Sequence, residues 1–219
     1  MGKRKKVING DNMIKLAVLA SGGGTDLQSV IDASEKNEID AKVVVVISDR
    51  ENAFALERAK KHGIDAYLVS PKNKTREEHE KEVSEIIDKY NVDLIVLAGY
   101  LRMFSPYFIK KYRNKIINIH PALLPFFGGK GMYGEKVHKA VLDSGMKISG
   151  CSVHFVDESI DGGSIIIQRA VDVKDDDTVE TLASRVLEEE HKILPEAVQL
   201  FAEKRLGIEG KKVKVLPKR

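Results

Sequence analysis

The chain has 219 residues, of which 42% are hydrophobic and 32% charged, with 36 Lys and Arg against 33 Asp and Glu. That length suits a single domain with a sizeable buried core. No apolar run approaches the roughly 20 residues that span a bilayer, and a lone cysteine, Cys151, excludes an intrachain disulfide and a cysteine-based metal cluster.

The net charge of +3 is concentrated at the start of the chain. Residues 1–12 carry Lys3, Arg4, Lys5 and Lys6 against Asp11, so the remainder balances at 32 basic and 32 acidic residues. No apolar segment follows those cations, which excludes a secretory signal. Met13 directly precedes the first strand-like run, so residues 1–12 read as a basic leader or a non-native extension, 13–206 as one domain and 207–219 as a basic tail. Basic ends on a neutral body point to frayed termini rather than a nucleic-acid footprint. A cytoplasmic monomer or homodimer, without membrane or nucleic-acid partners, is expected.

Taken in order, continuous apolar runs alternate with charged helical patterns. Strands are predicted at Leu16–Ala20, Ala41–Ser48, Ala66–Val69, Asp93–Ala98 and Lys115–Ile119. Runs without strict alternation suit parallel strands covered on both faces. Helices are predicted between them at Asp26–Asn37, Ala53–His62, Arg76–Tyr90 and Pro106–Tyr112, the last with Ser105 as N-cap before an N1 proline. This rhythm means right-handed βαβ units and a mostly parallel sheet. After residue 146 the pattern changes: Lys147–Val156 and Ser164–Val173, joined by a short polar stretch, read as an antiparallel hairpin. A final helix over about Thr178–Phe201 is predicted to start from Asp177 as N-cap, with Glu180 completing a capping box, and to kink or break at Pro195. The fold class is α/β.

Ser21-Gly22-Gly23-Gly24-Thr25-Asp26-Leu27 links the first strand to the first helix. Glycines there let backbone N–H groups approach a phosphate at a helix N-terminus, where the dipole favours an anion; a bare strand-to-helix turn is the alternative. A dinucleotide site would need a third glycine where Leu27 stands, although Asp49 ends the second strand where a ribose-reading acid sits in such folds. Asn118 and His120 lie two apart at the end of a strand and so share a face. An amide and an imidazole side by side can donate to a developing oxyanion and move a proton; a polar strand end with a satisfied histidine is the plainer reading. Asp161 precedes Gly162-Gly163 in the hairpin bend; acids in turns usually cap the backbone or face water, the plainer reading, but the glycines would let the backbone turn this carboxylate inward. A carboxylate beside His120 would favour the imidazolium and fix its orientation. His62, His79, His138 and His191 fall on charged helical patterns as solvated or packing residues; His154 reads as a core histidine and Cys151 as a buried small hydrophobe. No histidine pair has metal-ligand spacing, so no metal is expected.

In this order the three pieces resemble the glycinamide ribonucleotide formyltransferase family, over nearly the whole chain from about Lys15 to Leu206. Asn118-Ile119-His120-Pro121 followed by Leu123-Leu124-Pro125 is similar to the folate-dependent formyltransferase signature. Ser152-Val153-His154-Phe155-Val156 leading to Asp161-Gly162-Gly163 is similar to its second half. The resemblance implies a Rossmann-like, mostly parallel sheet flanked by helices. It implies transfer of a formyl group from 10-formyltetrahydrofolate, as co-substrate, to the amine of 5-phosphoribosylglycinamide in purine synthesis. Carried onto matching positions, it makes Asn118, His120 and Asp161 catalytic. It places Gly24, Thr25 and Asp26 at the ribonucleotide's phosphate and Glu190 near the substrate amine. For the reduced folate it implies Leu101, Arg102, Met103 and Phe104 as a pocket wall, Asn118 as a contact, and Arg76 as the cation meeting the glutamate carboxylates.

Two departures from that pattern matter. Many relatives carry Asn where this chain has Asp26, and a carboxylate repels a phosphate dianion; Asp26 is therefore expected to offer its backbone N–H while its side chain caps the helix. The segment from Phe126 to Val137 is longer than in several relatives. Its glycines suit a mobile stretch over the site from which Lys130 reaches a phosphate, or equally an exposed turn. Three rival readings compete. A formyltetrahydrofolate hydrolase usually carries an extra N-terminal domain, where only 15 residues precede Leu16. A methionyl-tRNA formyltransferase needs a further C-terminal domain and a basic RNA-facing surface. A nucleotide-binding module without catalysis would bind a dinucleotide independently of Asn118 and His120.

Overall fold

The computed structural model describes residues 13–218; the leader expected at residues 1–12 lies outside them. β1 (Ile14–Leu19), β2 (Ala41–Ser48), β3 (Asp65–Leu68), β4 (Leu94–Leu97) and β5 (Ile116–His120) form the parallel half of one sheet. They alternate with α1 (Thr25–Glu35), α2 (Phe54–Lys61), α3 (Arg76–Lys89) and α4 (Pro106–Lys111). The lack of polar alternation in the strands has a direct cause. Leu16 and Val18 of β1 enter one apolar core, while Ala17 and Leu19 enter a second on the opposite face. The first core is roofed by residues such as Leu27 of α1 and Leu56 of α2, the second by Val83 and Ile87 of α3 and Phe108 of α4.

The chain continues through α5 (Glu135–Asp143), β6 (Ile148–Phe155), β7 (Ile165–Asp172), α6 (Val179–Ala202), β8 (Leu206–Glu209) and β9 (Lys212–Val215). All strands join one sheet in the order β3-β2-β1-β4-β5-β6-β7-β9-β8. β6 runs antiparallel to both β5 and β7, so the expected hairpin is present and the sheet is mixed but mostly parallel. Strand order reverses direction between β1 and β4, which opens a crevice at their carboxyl ends, where ligands bind in open sheets of this kind.

Four expectations need correction or completion. The Lys-rich end, expected to fray, is instead the β8–β9 hairpin turning at Gly210, and Leu206, Ile208 and Val213 pack against the first core. Helix α6 is capped by Thr178, whose side chain accepts from the Thr181 N–H, not by Asp177 with Glu180. Asp177 is occupied elsewhere: it accepts two bonds from the Arg185 guanidinium, at 2.7 and 2.8 Å. No break occurs at Pro195, because Ile193, Leu194, Ala197 and Val198 around it are fully buried and hold both halves of α6 to the core. The segment expected as a loop to Val137 gives way to α5 at Glu135, burying Val137, His138 and Val141. Among the described residues no helix is long and apolar enough to cross a membrane.

Gly163 fixes where the β6–β7 connection turns. A Cβ there would lie 1.8 Å from the Phe155 carbonyl oxygen, a backbone atom that cannot step aside. Gly163→Ala is expected to destabilise the protein by about 1–3 kcal/mol, read as a lower urea midpoint. Gly22→Ala, with nothing within 4 Å of its Cβ, serves as the control and is expected within about 0.5 kcal/mol of the parent.

Candidate active site

Ser21, directly after β1, ties three strand ends together. Its N–H donates to the Gly99 carbonyl at 3.1 Å, its hydroxyl donates to Asp49 at 2.6 Å, and the same oxygen accepts from the Leu101 N–H at 3.0 Å. Asp49 therefore serves the loop itself, which removes it from the ribose-reading role of a dinucleotide site. Gly24 sits in the left-handed region at φ 69°, and a Cβ on it would meet the Ala55 Cβ at 2.8 Å. Only glycine lets α2 press this close to the start of α1. No side chain caps α1, so the N–H groups of its first turn meet no side-chain acceptor.

Asp26 does not cap α1 as expected. Its carboxyl turns inward to a buried spot beside Glu190 of α6, with Oδ1 3.9 Å from the His191 Nε2 and neither atom hydrogen-bonded. Burial pushes Asp26 up to about 6 from an ordinary 3.8. Burial, with the Asp26 charge beside it, holds Glu190 well above the usual carboxylate range. A cavity of about 540 Å³ opens alongside, lined by Thr25, Gln28, Arg58 and His191 among others.

Asn118 and His120 share one face of β5, and the connection after β6 folds back over that face. Asp161 consequently lies with Oδ2 3.8 Å from the His120 Nδ1 and Oδ1 3.8 Å from the His154 Nε2. It adopts φ 52°, unusual for a residue with a Cβ, next to the two glycines that make the bend. The Gly129 N–H donates to its Oδ2 at 2.9 Å, and the His120 Nε2 donates to the Phe127 carbonyl at 2.9 Å. The segment after Pro125 thus packs directly on the carboxylate and the ring, while Lys130 is exposed. Both rings are buried, His120 at 4% exposure and His154 at 2%.

The residues expected at a folate divide. Leu101 and Met103 are exposed at 43% and 48%, and Arg102 is half-buried. Phe104 faces away from them into the second core, stacked on Phe108 with ring centroids 4.1 Å apart. Its neighbour Ser105 is pinned by buried Glu80, which accepts from the Ser105 N–H at 2.6 Å and from its hydroxyl. Arg76 is exposed at the first turn of α3, without an ion pair among the described residues. Cys151 is buried and burial pushes its thiol up, as suits a packing residue. Among the described residues no cluster of His, Cys, Asp and Glu has the arrangement to hold a metal.

Sequence reasoning missed four participants: His154, Glu80, the Ser21–Asp49 link, and the Phe127 and Gly129 backbone. For His154 a signal existed, since it lies on the strand that leads into the bend carrying Asp161. For the backbone contacts there was none, because any residue offers the same carbonyl and N–H.

A family model described as Formyl transferase matches residues 14–198. The chain belongs to that family. It is similar to the phosphoribosylglycinamide formyltransferase of Escherichia coli, 39% identical over 194 residues that cover 88% of this chain and 89% of that one. It is 43% identical over 192 residues to the trifunctional purine biosynthetic protein adenosine-3 of Gallus gallus; these cover 87% of this chain but 19% of that protein, so the chain spans about a fifth of that relative's length. Among solved structures, glycinamide ribonucleotide transformylase 1 from Symbiobacterium toebii superposes with a TM-score of 0.89 at 45% identity, covering 94% of this chain and 95% of that one. A formyltetrahydrofolate deformylase from Pseudomonas syringae reaches 0.85 at 27% identity, covering 95% of this chain and 67% of that one.

The buried Asp26 carboxyl makes stability depend on pH. A folded value near 6 against 3.8 means that the folded chain holds the proton more tightly. That contribution is complete below about pH 4 and disappears as pH rises through about 6. Asp26→Asn removes it, so between pH 4 and pH 7 the parent should lose about 2–3 kcal/mol relative to this variant. Urea unfolding of both proteins across that range measures the difference, and parallel curves would contradict it.

Proposed function

We propose that this protein transfers the formyl group of 10-formyltetrahydrofolate to the amine of 5-phosphoribosylglycinamide, a step of purine synthesis. One observation carries the reading: within a formyl transferase fold, Asp161 is brought from a distant bend to 3.8 Å from His120, on the strand face that also holds Asn118. The E. coli and S. toebii relatives bear the names of this activity.

In this proposal the uncapped start of α1, with the backbone of Gly24, Thr25 and Asp26, receives the substrate phosphate, and Glu190 stands near its amine. Leu101, Arg102 and Met103 line the folate side, with Arg76 available to a glutamate carboxylate. Phe104 acts there only by packing beneath the segment, since its ring belongs to the core. The amine attacks the formyl carbon, and the formyl oxygen gains negative charge. The Asn118 amide and the Nε2–H of charged His120 donate to that oxygen, a substitute for the Phe127 carbonyl that the ring now meets. The Asp161 carboxylate stabilises the positive ring and sets its tilt. As the carbon–nitrogen bond to the folate breaks, a proton from the attacking amine passes to the departing nitrogen, and tetrahydrofolate leaves. Binding sites for two small molecules are implied, with no step that requires a metal.

The test is the appearance of folate product, followed by absorbance, with and without phosphoribosylglycinamide. Amine-dependent turnover is expected; equal turnover without the amine would assign hydrolysis instead. Asn118→Ala and His120→Ala should each lower kcat on the order of 10²–10³-fold, with much smaller effects on either KM. Near-parental turnover in His120→Ala would reject the assignment.

A further inference from the structure

We propose that His154 is a positioning residue: a neutral ring, protonated at Nδ1, that accepts from the Asn118 amide and so fixes the direction in which that amide donates. The inference rests on the role given to Asn118 above.

Asn118 and His154 face each other directly across β5 and β6, and the β6–β7 register slips between Val153 and His154. Such a slip re-aims a side chain. The His154 Nδ1 lies 2.8 Å from the Phe155 carbonyl oxygen, which can only accept, so Nδ1 carries a proton. On the other side of the ring, Nε2 is 3.1 Å from the Asn118 Nδ2, which can only donate. The two bonds together specify one tautomer and one amide orientation. An Asn118 turned the other way would set its carbonyl oxygen against a lone pair.

The groups around the ring agree with the neutral form. Burial is the largest influence and, with the nearby His120, holds the ring below the ordinary histidine range against the Phe155 carbonyl, Asp161 and Asp157, which attract a proton to it. Asp161 stays at 3.8 Å, beyond hydrogen-bond length, and its Oδ2 is already engaged by the Gly129 N–H. A protonated Nε2 would present a second donor to the Asn118 donor and break the pair. Among the described residues the Asn118 side chain has no other hydrogen-bond partner. Its second N–H is therefore left for the formyl oxygen, and without His154 nothing would hold the amide plane.

Nitrogen-15 spectra of the full chain, with the His154 signals assigned, should show Nδ1 protonated and Nε2 bare at neutral pH. The opposite tautomer, or a charged ring, overturns the proposal whatever the enzyme does. In steady-state assays His154→Leu should lower kcat about tenfold to a hundredfold, less than outright loss of an oxyanion donor, with each KM nearly unchanged. His154→Gln, whose side-chain oxygen can accept from Asn118, should keep kcat within a few-fold of the parent, a comparison that stands even if the leucine variant fails to fold. A glutamine variant as impaired as the leucine one, or a loss expressed in KM, would reduce His154 to a packing residue. If the parent catalyses no transfer, the function proposed above fails while the tautomer measurement still decides the ring–amide pairing.

Discussion

Burying two imidazole rings, each within 4 Å of one carboxylate, is unfavourable unless the polar atoms have defined partners, and this requirement organises the site. His154 spends both nitrogens, on the Phe155 carbonyl and the Asn118 amide. His120 spends Nε2 on the Phe127 carbonyl, which turns Nδ1 toward Asp161. Asp161 is anchored by the Gly129 N–H. The bend that delivers it is possible only because Gly163 passes against the Phe155 carbonyl with no room for a side chain.

The same economy of partners positions the rest of the cleft. Ser21 binds the ends of β1, β2 and β4 through one hydroxyl and one N–H, so the glycine loop and the segment from Gly99 are tied together. Glu80 does this for the far end of that segment by holding Ser105. Exposed Leu101 and Met103 are thereby presented from a stretch fixed at both ends, which is what a binding wall needs when it has no regular secondary structure of its own. Asp26 and Glu190 are the exception. Among the described residues no cation is in hydrogen-bond contact with the buried space their carboxyls share, and the strain is relieved by keeping a proton.

The parallel strands and the four helices between them were legible to within two residues, because apolar runs of strand length alternated with charged helical patterns. The cap of α6 was not, since Asp177 and Thr178 are both good N-cap residues and only the position of Arg185 drew Asp177 away. The C-terminal hairpin was hidden by its charge. Leu206 and Ile208 on one strand and Val213 on the next alternate correctly, but lysines dominate the segment, and only contact with the first core reveals the pattern. Phe104 was assigned to a wall by analogy and belongs to a stack. An aromatic at a pocket edge and one beneath it look alike until the backbone direction is known.

The order of residues alone determined the fold class, the family, and the identities of Asn118, His120 and Asp161 as a candidate set, because strand periodicity and short motifs are local properties. Tertiary structure decided that the carboxylate meets two rings rather than one, that Asp26 faces Glu190 rather than its own helix, and which tautomer His154 holds. Those facts depend on distances between atoms far apart in sequence, such as the 3.8 Å separations around Asp161. Such distances follow from how the β6–β7 bend curls over β5, and that path is a property of packing that no local pattern encodes.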